Sequence, residues 1–130
     1  MERLVHLVDS NVFLEALLEQ EKAKQVYAFL NQHKPNELFI SDFALHSIGI
    51  ILFNLNEKDL FNTFLTNVIY NKIRVLLIKE KELEQLMNNS KKFSLDFDDA
   101  YQYTIAKIYN LQIVSFDKDF DKTDLKRIEP

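Results

Sequence analysis

An α/β sandwich around a mostly parallel sheet is the fold class this chain predicts, and three observations predict it. Short apolar runs of strand length alternate with longer segments whose apolar residues recur at helical spacing. The chain holds one Gly and two Pro, too few for the hairpins and bulges of an all-β protein. Its 130 residues suffice for one hydrophobic core and fall short of two ordinary domains, so residues 1–130 read as a single domain.

The elements follow in order. Leu4 to Val8 is an apolar run of strand length that ends at Asp9. Asn11 to Glu19 reads as a helix with Val12, Phe13, Ala16 and Leu17 on one face. Glu21 to Asn31 continues helically through Val26, Phe29 and Leu30, and Pro35 closes the region. Leu38 to Ser41 is a second short strand, and Asp42 to Phe53 a largely apolar helix. Asn56 is placed to cap the next helix, in which Leu60, Phe61, Phe64, Leu65, Val68 and Ile69 recur at helical spacing. Arg74 to Ile78 is a third strand and Glu80 to Lys92 another helix. Phe97 to Tyr109 is helical, with Tyr101, Thr104, Ile105 and Ile108 in a stripe. Gln112 to Ser115 is the fourth strand, and residues near Arg127 add a short edge strand.

Composition bounds the chemistry. Hydrophobic residues make up 47% and charged residues 28%, a soluble globular balance. Without cysteine, disulfides and thiolate metal sites are excluded, which suits a cytoplasmic protein. The first nine residues carry an acid and too short an apolar stretch for a secretory signal, and no later run has the length of a membrane span. The net charge of −4 lacks the basic surplus of a protein that holds nucleic acid by phosphate contacts alone. Carboxylates gathered around a cation bind phosphate through the ion, so an acidic chain keeps that substrate class open.

In a parallel sheet, ligands bind outside the carboxyl ends of the strands. Asp9 follows the first strand, Asp42 and His46 lie past the second, and Asp117 lies past the fourth. Three segments thus deliver polar groups to one edge. Each residue alone has an ordinary structural role. Asp9 and Asp96 suit helix caps, Asp98 and Asp99 favour a helix N-terminus, and Asp117 and Asp119 suit a turn. Three acids within Asp96 to Asp99 exceed what capping requires. Mg²⁺ and Mn²⁺ take oxygen ligands, and a cation compensates crowded carboxylates. The lone Gly49 excludes the phosphate and dinucleotide loops, which need several glycines.

Four segments then resemble a known family. Leu-Val-Asp9-Ser10-Asn11-Val-Phe-Leu resembles the opening of PIN domains, and Phe-Ile-Ser41-Asp-Phe-Ala-Leu-His46 their second motif. Leu95-Asp-Phe-Asp-Asp99-Ala100 resembles the third, and Ile113-Val114-Ser115-Phe-Asp117-Lys-Asp119-Phe120 the closing segment. The likeness runs from residue 3 to about residue 121 with the motifs in order. It implies a three-layer PIN-like sandwich of four to five short strands and a Mg²⁺- or Mn²⁺-dependent endonuclease, usually acting on RNA. It further implies a toxin of the VapC type, paired with an antitoxin protein and often a homodimer. By the same resemblance Asp9, Asp99 and Asp117 hold the metal, with Asp96 or Asp119 as additional acids. Asn11 and Ser115 orient carboxylates or water through hydrogen bonds.

His46 departs from the pattern, standing where the family's second motif carries Glu, and is expected on a buried polar stripe facing the site. Three alternatives are open there. His46 ligates a softer ion such as Mn²⁺, Asp42 replaces the missing carboxylate from one turn away, or the site has lost metal and activity. An ordinary hydrogen-bonded core histidine is a fourth reading. A silent module that binds RNA or protein is therefore the rival to the nuclease. A receiver-like signalling domain ranks below both, because it would carry an adjacent acidic pair where Val8 precedes Asp9. Lys91, Lys92, Lys118, Lys122, Lys126 and Arg127 are the candidate phosphate contacts.

Overall fold

The computed structural model describes residues 5–130. Its sheet has four parallel strands, β1 (His6–Val8), β2 (Leu38–Ser41), β3 (Arg74–Leu76) and β4 (Gln112–Val114), in the order β3-β2-β1-β4. Leu4, the expected start of the first strand, lies outside the described residues. The chain steps from β1 to β2 and β3, then crosses back to lay β4 on the other side of β1. The strand order therefore reverses at β1, and the crevice beside its carboxyl end is where such sheets bind ligands.

The helices are α1 (Ser10–Leu17), α2 (Ala23–Gln32), α3 (Asp42–Asn54), α4 (Lys58–Phe64), α5 (Tyr70–Lys72), α6 (Leu83–Phe93) and α7 (Phe97–Tyr109). A π-helical stretch, Leu65–Ile69, joins α4 to α5, so the expected apolar stripe from Leu60 to Ile69 crosses a wider turn. Asn56 does not cap α4. It adopts φ 58° in the turn after α3, a left-handed conformation that Asn tolerates, and Glu57 flanks the helix instead. The segment near Arg127 forms one parallel bridge, Val114 to Ile128, rather than a strand.

Successive strand residues point to opposite faces, and the two cores follow from that alternation. Val8, Leu38, Ile40 and Val114 pack with Val12, Phe13, Val26, Ile48, Leu52 and Phe64 on one side. Leu7 and Ile113 pack with Leu86, Tyr103, Ile105 and Phe120 on the other, with Phe39 and Leu76 against them. The three layers expected from the alternating pattern are thus α1 to α4, the sheet, and α6 with α7. Each fully buried Phe, Leu or Ile contributes about 1.5–3 kcal/mol of apolar burial.

Candidate functional site

Asp9 stands at the carboxyl end of β1 and caps α1, its Oδ1 accepting from the Ser10 amide at 2.9 Å. Its carboxylate is buried, at 8% exposure, and is held from two further directions. Gln102 Nε2 donates to Oδ1 at 3.1 Å, and Ser115 Oγ donates to Oδ2 at 2.8 Å. Burial pushes the carboxyl pKa up, while these hydrogen bonds work in the opposite direction. Asp9 is thus a cap, and it also opens onto a pocket of about 30 Å³ lined by Ser47, Asp98, Asp99 and Gln102, among others.

Ser115, just past β4, is the hub. Its hydroxyl donates to Asp9 and accepts from Asn11 Nδ2 at 3.3 Å and from the Asp117 amide at 2.9 Å. One donor and two lone pairs are all a hydroxyl has, so Ser115 is fully used. Asn11 Oδ1 in turn accepts from the Phe116 amide at 3.2 Å, which ties α1 to the loop after β4.

That loop and α7 assemble the acids. Asp96 caps α7 by accepting from the Asp99 amide at 3.3 Å, and Asp117 caps a 3-10 turn by accepting from the Asp119 amide at 2.9 Å. One carboxylate oxygen from each of Asp99, Asp117 and Asp119 lies within 4.8 Å of the others. Oxygens around a Mg²⁺ ion stand about 3–4 Å apart, so small side-chain rotations suffice for a shared ion. Asp99 is only 7% exposed. Burial first, then the Asp117 carboxylate, push its carboxyl up to about 8. Of the expected trio, Asp99 and Asp117 come together. Asp119 completes their cluster, and Asp9 sits in the adjoining pocket that Asp99 also lines.

The second helix at this edge differs from expectation. Ser41 caps α3 by accepting from the Ala44 amide at 2.9 Å. Asp42 is engaged by the Tyr101 hydroxyl at 2.7 Å and the Phe43 amide at 2.8 Å, and does not line the acidic pocket. His46 is exposed rather than buried, and borders a separate groove with Gly49, Ile50, Phe53 and Phe61. Ser47, one residue and about 100° further round the helix, is the polar residue that α3 turns toward the acids. Ser47 and Gln102 escaped the sequence reading. The signal for Gln102 was its position three residues after Asp99, on the same helix face.

Among the basic candidates, Lys122 lies 3.5 Å from Asp119, beside the cluster. Arg127 is not free for phosphate. It pairs with Asp121 and Glu129 and donates to the Ser115 carbonyl at 3.2 Å.

With this geometry in place, comparison with known proteins is direct. No curated protein sequence matches the chain. Among solved structures, VapC20 of Mycobacterium tuberculosis, a sarcin-ricin loop cleaving toxin, superposes with a TM-score of 0.78. It is 15% identical, and the match covers 96% of this chain and 99% of that one. FitAcB of Neisseria gonorrhoeae gives a TM-score of 0.75 at 22% identity, over 95% of this chain and 96% of that one. A toxin-antitoxin complex from Klebsiella pneumoniae gives 0.71 at 16% identity, over 88% and 89%. These likenesses show a shared fold, and the PIN domain family profile matches residues 6–126. The chain belongs to the PIN-domain family.

Proposed function

We propose that this protein is a Mg²⁺- or Mn²⁺-dependent endoribonuclease of the toxin type, cytoplasmic, homodimeric and paired with an antitoxin protein. The observation that carries the reading is the gathering of Asp99, Asp117 and Asp119 beside a buried Asp9 at the reversal point of the sheet. The donor set fits a hard divalent cation, since it is all oxygen and partly buried. The toxins and toxin-antitoxin complexes among its structural neighbours support the partner class.

Asp99, Asp117 and Asp119 are the residues that would hold the ion, with Asp9 facing it from the pocket. Ser115 and Gln102 fix the Asp9 carboxylate, and Asn11 fixes Ser115, so the oxygens keep their places while the acids repel one another. When bound, the ion neutralises charge developing on a phosphodiester and makes water a better nucleophile at neutral pH. The net charge of −4 is compatible with a phosphate ligand because the cation supplies the local positive charge.

Incubating end-labelled single-stranded RNA with the protein in Mn²⁺, Mg²⁺ or chelator tests the reading. Cleavage is expected with the ions and absent in chelator, and Asp117→Asn should slow it at least about a hundredfold. Intact RNA under every condition would sink it. One observation favours the rival, a silent module that binds RNA or protein: α3 presents Ser47, not an acid, to the pocket. RNA binding without cleavage, unaffected by Asp117→Asn, would establish that alternative.

A further inference from the structure

Gln102 carries a feature that its role in holding Asp9 leaves unexplained. It is 3% exposed, and while its Nε2 donates to Asp9, its Oε1 is buried with no hydrogen-bond partner among the described residues. The amide cannot be turned to relieve this, because its oxygen would then face the Asp9 carboxylate. Leaving a buried amide oxygen without a donor is unfavourable, so such atoms generally have a partner that enters from outside the chain.

The surroundings of Gln102 indicate what that partner is. It lines the pocket with the acids Asp9, Asp98 and Asp99 and with Ser10 and Ser47, and none of these donates to its Oε1. Ser47 is the only hydroxyl that α3 adds there. A space of about 30 Å³ holds a bare divalent ion with one or two waters, each needing roughly 10–15 Å³. Amide oxygens are ordinary ligands of hard cations.

We infer that Gln102 Oε1 is a ligand of the cation that Asp99 and its neighbouring acids hold beside Asp9, supplying from α7 the oxygen donor that α3 does not provide as an acid. This rests on the reading of the site as a cation site. One amide thus does two jobs. Its nitrogen fixes a carboxylate and its oxygen faces the ion, so the oxygen count is kept with one negative charge fewer.

Calorimetric titration of the full chain with Mn²⁺ at pH 7.5 tests the assignment without reference to activity. Gln102→Leu removes both groups and should weaken binding about 10- to 100-fold. Gln102→Glu is the deciding variant. A carboxylate oxygen in reach of the ion should bind Mn²⁺ at least as tightly as wild type, despite losing the hydrogen bond to Asp9. If Gln102 only positions Asp9, the same variant sets two carboxylates against each other and binds as weakly as Gln102→Leu, which overturns the assignment. Unchanged affinity in Gln102→Leu also overturns it. Should Leu at this position unfold the chain, the comparison of Gln102→Glu with wild type stands alone. Wild type and Asp99→Asn binding Mn²⁺ equally poorly would overturn the cation site itself. Loss in Asp99→Asn with no effect at Gln102 would overturn only the assignment made here.

Discussion

Replacing Asp99 by Asn removes an acid whose proton the fold holds unusually tightly and should flatten the pH dependence of stability. In the folded chain its carboxyl is pushed up to about 8 by burial and by Asp117. The unfolded chain releases that proton at about pH 4. The folded state therefore binds the proton more tightly, and the resulting stability is complete below the unfolded pKa and lost as pH rises toward 8. At about 1.4 kcal/mol per pH unit the full shift sets an upper bound, which solvent at the mouth of the cluster reduces to about 1–3 kcal/mol. Thermal unfolding in chelator should thus show wild type losing roughly 3–12 °C in Tm between pH 5 and pH 8. Asp99→Asn mimics the protonated acid and should lose much less. Adding Mn²⁺ at a hundred times its Kd should return about 2.7 kcal/mol to wild type at pH 8 and little to the variant. A wild-type Tm that holds or rises from pH 5 to 8 in chelator, with Asp99→Asn following the same curve, would refute the reasoning.

Other substitutions have defined outcomes. Ser115→Ala strips the hub that serves Asp9, Asn11 and the Asp117 amide, and urea unfolding should show a loss of about 1–3 kcal/mol. Tyr101→Phe removes a hydroxyl that donates to Asp42 and accepts from the Ile78 amide, and should cost about 1–2 kcal/mol by the same measurement. His46→Ala, on the exposed groove, should leave Mn²⁺ affinity in calorimetry within about twofold of wild type, since an exposed residue outside the pocket carries little of its energetics. A tenfold loss there would return His46 to the site.

The sheet was legible because three of its four strands, all but β3, are short apolar runs stopped by a polar residue at the edge where the chain must turn. Asp9, Ser41 and Ser115 mark those stops and also cap or tie the elements that follow. The acids of α7 and the loop after β4 were legible for the same reason. What periodicity did not resolve was the rotation of α3. A largely apolar helix gives no sharp polar face, and one residue shifts the side chain by about 100°, so His46 and Ser47 exchange roles. Gln102 was hidden in a stripe of core residues, where its polarity has meaning only once Asp9 is known to lie opposite. Asn56 has two local uses, capping and left-handed turns, and a chain with a single glycine spends Asn on the turn.

Anomalous scattering from crystals soaked in Mn²⁺ tests the central claim most directly. A peak bounded by Asp99 and Asp117 is expected, with Asp9 and Gln102 facing it and His46 remote. No peak in that crevice, or one formed at His46, would contradict the claim.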